Sequence, residues 1–493
     1  MPAKRSLTLA LALLLVAAIP ARATSFPTIT VVDSINPGTL GSLALWTSGR
    51  LGNYIYFMAD DGTTGYELWR TNGTSTTQVA DINPTALSGS YPGNFFTFGD
   101  ALYFSADDGT HGYELWRTTG SGAAMVQDLN SNGAGNSNPY GFTVLGDHLY
   151  FSANDGVHGT ELWRTDGTTA TLVQDINPNG AMTDSSDPNF LIAYGGFIYF
   201  QADDGVTGHE LWRTDGSTTA RVADINPTAG VGSNPNNFAQ FGDDLYFNAN
   251  DGTTGAELWR TNGSTTTRVA DINPTPPNES NPYGFTEFGG YLYFSADDGT
   301  SGRELWRTNG TGASRVSDIN SAGDSYPTGF TALGGYLYFA ATDNTTGNEL
   351  WRTNGSSTTR VADINVNGTD GSYPYGFTVL GDYIYFNAGD GGTIGKLWRV
   401  NAAGVVDSGA PVGTNAFFGC MCDHPLLTLN ARLFAPLATD ETGWEFAWLE
   451  EPSWVMPSTD RETTAWMTPL VLLAATLAAA GVGLKLQRGS RVE

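Results

Sequence analysis

An all-β propeller of about nine, alternatively eight, four-stranded blades, followed by one C-terminal transmembrane helix, is predicted from three observations. A Leu-Trp-Arg triplet recurs at a nearly fixed period through most of the chain. Each period holds four short β-type runs separated by turns rich in Gly, Asp and Asn. Both ends of the chain carry apolar stretches unlike anything between them.

The triplet places Trp69, Trp116, Trp163, Trp212, Trp259, Trp306, Trp351 and Trp398 at steps of 45 to 49 residues. A Tyr-Phe pair precedes each Trp, from Tyr56-Phe57 to Tyr385-Phe386, and a degenerate ninth copy follows at Leu433-Phe434 and Trp444. The second copy shows the four runs: Phe95 to Phe98, Ala101 to Ala106, Tyr113 to Thr118 and Ala124 to Asn130, here lettered b, c, d and a. Hairpin-length turns join b to c, c to d and d to a, whereas the link from a to the next b is longer. That asymmetry sets the blade as a b-c-d-a meander. Strand d exposes Leu115 on one side and Trp116 on the other, so its sheet needs apolar cover on both faces, which radially stacked blades provide.

A closing sheet is also expected. The segment Thr28 to Ile35 reads as an orphan strand a, and the ninth copy lacks one, so the two ends should pair and hide both sheet edges.

The repeat resembles the bacterial ELWxxDGT family, whose signature stands here as Glu161-Leu162-Trp163-Arg164-Thr165-Asp166-Gly167-Thr168 and as Glu210 to Ser217. The likeness covers about Val31 to Trp448, although most copies read Asn-Gly for Asp-Gly and Lys396 replaces the Glu of copy eight. What the resemblance implies is a propeller-like array with no established catalytic activity.

At the ends, residues 1–23 read as a secretory signal: Lys4 and Arg5, an apolar run, then Ala21-Arg22-Ala23 before the expected cut. Its removal leaves 20 basic against 50 acidic residues, a charge of -30 compared with -27 for the whole chain. Residues 24–451 form the propeller domain and 452–465 a linker. Residues 466–484 are uncharged and long enough to cross a bilayer, and the basic tail 485–493 is expected in the cytoplasm. The tail also resembles the sorting signals of bacterial surface proteins, with Met456-Pro457-Ser458 in the place of their proline-containing motif.

Composition narrows the function classes. Two Cys in 493 residues exclude a disulfide scaffold, and the acidity argues against a nucleic-acid partner. No Gly-x-Ser-x-Gly elbow, phosphate loop or His-Glu-x-x-His helix occurs. The Trp of each triplet reads as blade packing, and its Arg as the partner of a carboxylate such as the Glu of Glu-Leu-Trp. The c to d turns gather acids, with Asp60, Asp61, Asp107, Asp108, Asp203, Asp204, Asp297 and Asp298 on one face of the array. Gly-rich, oxygen-rich loops suit Ca²⁺, and ordinary turn chemistry is the competing reading. The Asn-Gly-Thr/Ser sequons starting at Asn72, Asn262, Asn309 and Asn354 coincide with expected type I′ turns. Cys420, Cys422 and His424 interrupt the ninth copy, as a metal site, an oxidised pair or an intermolecular bridge.

These features point to an exported protein, tethered by a C-terminal membrane helix, that binds a glycan or protein ligand at the cell envelope. A structural surface component and an envelope enzyme acting on polysaccharide are the alternatives.

Overall fold

The computed structural model describes residues 29–33, 35, 43–178, 184–275, 279–392, 396–408, 417–418, 427–429, 432–439 and 443–450. All belong to one compact unit, Met1–Glu451. The signal segment, linker, membrane helix and basic tail expected from the sequence lie outside the described residues, as do Cys420, Cys422 and His424. Among the described residues no helix is long and apolar enough to cross a membrane.

Eight four-stranded antiparallel sheets follow one another, each in the order b-c-d-a. Blade 1 runs from strand Leu43–Leu51 to Thr76–Ala80, blade 2 from Gly93–Phe98 to Ala124–Gln127, and blade 3 from Tyr140–Leu145 to Ala170–Gln174. Blades 4 to 8 begin at Asn189, Asn236, Tyr283, Thr328 and Tyr375. The b strands of successive blades touch one another, so b lies innermost and a outermost in a propeller-like arrangement.

Alternation drives the stacking. In blade 3, Tyr150 and Leu162 pack forward against Ile198, Phe200 and Trp212 of blade 4. Phe151 and Trp163 pack back against Tyr103 and Leu115 of blade 2. One strand therefore serves two interfaces, and neither face of a sheet is left to water. The buried Phe and Leu side chains each contribute about 2 kcal/mol of burial.

The expected count of nine blades is corrected to eight. The ninth sheet has five strands: the N-terminal Ile29–Asp33 pairs with Gly443–Glu450, which pairs with Arg432–Thr439. On the far side of Arg432–Thr439 the place of strand b is shared by two fragments, Phe417–Phe418 and Leu427–Leu429. Cys420 and Cys422 fall between these two fragments in sequence. The expected pairing of the two ends is present, with Thr30 opposite Trp448 and Val31 opposite Ala447.

Candidate functional site

The b-c-d-a path sends the a to b and c to d connections to one end, the loop face, and the b to c and d to a turns to the other. On the loop face the Glu of each Glu-Leu-Trp is wholly buried in seven copies, from Glu67 to Glu349. Glu210 accepts hydrogen bonds from the backbone N–H of Ile225 (2.9 Å), Asn226 (3.3 Å) and Ser233 (2.8 Å), and from the Ser233 hydroxyl (2.6 Å). Burial pushes these carboxyls above the ordinary glutamate range, Glu161 to about 7, and the loop donors offset part of the rise. This Glu therefore anchors the a to b connection. It does not pair with the Arg of the triplet; among the described residues the expected carboxylate partner appears at Arg260 and Arg399, as Asp244 and Asp407 of their own blades.

The Arg reaches forward instead, at the opposite end. Arg164 donates to the carbonyl of Gly216 (2.8 Å), Arg213 to that of Gly263 (2.8 Å) and Arg307 to that of Gly355 (3.0 Å), each in the d to a turn of the following blade. Arg70 contacts Gly120 in the same way. The guanidinium stacks on an aromatic ring of its own blade, as Arg213 does on Phe197 at 4.3 Å. Arg260 departs by pairing with the Asp244 carboxylate at 2.8 Å.

The turn glycine that receives the Arg has a left-handed backbone, with φ 88° at Gly216, and a Cβ there would lie 2.2 Å from the Tyr150 hydroxyl. The Asn before such glycines is not left-handed, so the sequon turns are not type I′. Asn72 Oδ1 instead accepts from the backbone N–H of Thr74 and Ser75. Trp116, Trp163 and Trp212 are at most 9% exposed, consistent with packing.

The acidic turns are internally engaged. Asp60, Asp107, Asp203 and Asp297 each accept the N–H of the Gly two residues on, at 2.7 Å. Asp61 accepts from Thr63 and Thr64, Asp108 from Thr110 and His111, Asp204 from Val206 and Thr207, and Asp298 from Thr300 and Ser301. Burial opposes ionisation of Asp61, Asp204 and Asp298, but these bonds hold them below the ordinary range, and Asp108 falls to about 2. Basic side chains of the chain itself stand beside four of these acids: His111 at 2.8 Å from Asp108, His209 at 4.0 Å from Asp203, Arg221 at 3.7 Å from Asp204 and Arg315 at 3.5 Å from Asp298. Among the described residues no three His, Cys, Asp or Glu side chains are grouped to hold a metal ion.

What sequence reasoning missed lies beside the inner strands. Each a to b connection ends in Ser-Xaa-Pro, and in seven copies Xaa has φ between 43° and 50°: Tyr91, Tyr326, Tyr373, Asn138, Asn234, Asn281 and Asp187. The flanking Ser and Pro are buried. The N–H groups of Ser372 and Tyr373 both reach the Asn348 carbonyl, at 2.8 and 3.1 Å. Three residues later the second position of strand b is left-handed as well: Asn94, Phe190 and Asn237 in blades 2, 4 and 5, and Gly in blades 3, 6, 7 and 8. A non-glycine residue in this conformation costs about 1–2 kcal/mol. Between blades 5 and 8 the inner strands border a cavity of about 480 Å³, walled by Asn237, Tyr283, Phe330 and Tyr375 together with Gly284, Gly329 and Gly376.

No family model and no curated protein matches the chain. Among solved structures, a prolyl endopeptidase is 11% identical with a TM-score of 0.39, over 75% of this chain and 55% of its own. The β-propeller domain of the Trilobed protease from Pyrococcus furiosus, described as having an open velcro topology, is 10% identical with a TM-score of 0.34, over 64% of this chain and 97% of its own. A puromycin-hydrolyzing peptidase of Mycobacterium tuberculosis is 10% identical with a TM-score of 0.38, over 74% and 61%. The chain thus spans 55% of the length of the endopeptidase. These likenesses concern the fold alone.

Proposed function

We propose that this chain is an exported, membrane-anchored propeller that acts as a binding or adhesion module at the cell envelope and engages its partner through the loop face. The observation that carries this reading is the distribution of exposed apolar side chains. Of the eleven large ones among the described residues, eight stand on the a to b or c to d connections, including Leu87, Val157, Val206, Val231 and Val366. Exposed apolar groups gathered on one side of a soluble domain are the usual mark of an interaction surface. The repeated Glu, Arg and Asp side chains are meanwhile engaged in holding blades and loops, which supports a scaffold over a catalyst. The leader-like segment 1–23 and the apolar segment 466–484 support the address.

The test is attachment of cells displaying the full chain, compared with cells displaying a variant in which Leu87, Val157, Val206, Val231 and Val366 are replaced by Ser. These residues are 50% or more exposed, so the substitutions should leave thermal stability unchanged. Attachment should fall about ten-fold, roughly 1.4 kcal/mol of binding free energy. Undiminished attachment at equal display would remove the loop face from the proposal.

A further inference from the structure

The left-handed side chains are confined to one part of the fold. All eleven non-glycine residues with positive φ among the described residues lie in an a to b connection or at the second position of strand b, and all but Leu87 stand within two residues of the loop-face end of an inner strand. The same chain places Gly at 41 other left-handed positions, so glycine is its ordinary solution to this backbone. At the Ser-Xaa-Pro corner no described copy uses Gly, and the exposed Tyr326 and Tyr373 are among the residue types least suited to it. Strain kept at an exposed, rigidly anchored position points to what the side chain reaches.

Those two tyrosines stand beside the cavity. Thr328, two residues after Tyr326, and Pro374, directly after Tyr373, both line it. Its wall carries left-handed glycines at the second position of strand b in blades 6 to 8, where blade 4 has Phe190. None of the described residues lining it is charged, although the chain as a whole carries -27. Arg303, beside the rim, already donates to the Asn281 carbonyl at 2.8 Å and stacks on Tyr283 at 5.1 Å.

We propose that this cavity, at the loop-face end of the inner strands of blades 5 to 8, binds a neutral oligosaccharide; the proposal rests on the reading of the loop face as a binding surface. Tyrosine and phenylalanine rings offer flat apolar faces to the C–H side of a sugar, while Asn237 and Thr328 supply amide and hydroxyl partners for its hydroxyl groups. A charged ligand would enter without a counter-ion, at a desolvation cost that an uncharged sugar avoids.

The test uses the full chain in a sugar-free zwitterionic detergent, titrated calorimetrically with neutral glucan, mannan and N-acetylglucosamine oligomers and with uronic-acid or sulfated counterparts. At least one neutral oligomer should bind, with its anionic counterpart at least about ten-fold weaker. Tyr373→Gly and Asn237→Gly should each weaken binding about ten-fold without lowering the melting temperature, because glycine relieves the backbone. The site is overturned if no neutral oligomer binds, if the anionic ones bind tighter, or if both variants keep wild-type affinity. Loss of attachment in the apolar-to-Ser variant without any sugar binding would sink this site alone. Sugar binding in a chain whose attachment ignores the apolar-to-Ser change would sink only the apolar-face reading.

Discussion

Glu210 and Ser233 are 23 residues apart in the chain and meet in the interior, where the Ser233 hydroxyl donates to Glu210 Oε2 at 2.6 Å. The Ser233 amide donates to Oε1 of the same carboxylate at 2.8 Å, so one acid fixes where the connection ends and the next inner strand begins. Glu210→Gln would set an amide NH₂ against backbone N–H donors and should cost about 2–4 kcal/mol, against about 1–2 kcal/mol for Ser233→Ala. Hydrogen exchange of amides 225–233 reads both changes locally. Equal, small losses would mean that the carboxylate is not the anchor.

The seven buried glutamates also set a pH dependence. Their folded-state pKa values are raised, Glu161 to about 7 from an ordinary 4.5, so folding takes up protons between those values. Stability should therefore grow as pH falls from about 8 towards about 5. His111 and His158, raised by Asp108 and Asp155, act in the same direction across the neutral range. The turn aspartates are displaced downward, Asp108 and Asp166 to about 2, and their contribution disappears in stronger acid. Melting temperature measured from about pH 3 to 8 should peak near about pH 5; a steady rise from 5 to 8 would contradict this balance.

Gly216 and Gly195 are both left-handed, with φ 88° and 58°, but only Gly216 has a neighbour in the way. Gly195→Ala should cost about 1 kcal/mol through the backbone alone. Gly216→Ala, which drives a methyl into the Tyr150 hydroxyl and towards Arg164, should cost about 3 kcal/mol. Denaturant midpoints distinguish the two. If the costs match, the Arg-to-Gly contact does not join the blades.

Calcium should leave the melting temperature unchanged at about 5 mM, because the turn carboxylates are already engaged by their own loops. A rise of several degrees, absent with equal ionic strength of sodium chloride, would show that Asp60, Asp61 or their equivalents release those partners for a cation.

Much of the fold was legible because its signals are local. The Trp period, the Tyr-Phe pairs and the turn glycines placed strands such as Ala101–Asp107 and Tyr113–Thr118 to within a residue. Partners across blades were less accessible: Arg213 and Gly263 are 50 residues apart, and nothing near Arg213 in sequence favours a carbonyl over a carboxylate. The ninth sheet departed because a broken strand b looks, in sequence, like a degenerate repeat. The Ser-Xaa-Pro corners escaped notice for another reason. Tyr373 before a proline suggests an extended residue, and only tertiary anchoring at Asn348 turns it left-handed.

Arg399, like Arg260, departs from the forward series. It is 2% exposed and clasps Asp407 of its own blade, through Nε at 2.8 Å and Nη2 at 2.9 Å. Blade 8 is followed by the five-stranded ninth sheet and not by another copy of the unit, with Lys396–Asn401 beside Phe417–Phe418. The internal Arg399–Asp407 pair thus engages within blade 8 the guanidinium that Arg164, Arg213 and Arg307 lend to the following blade, so the last copy is sealed by its own strand a and asks nothing of a successor.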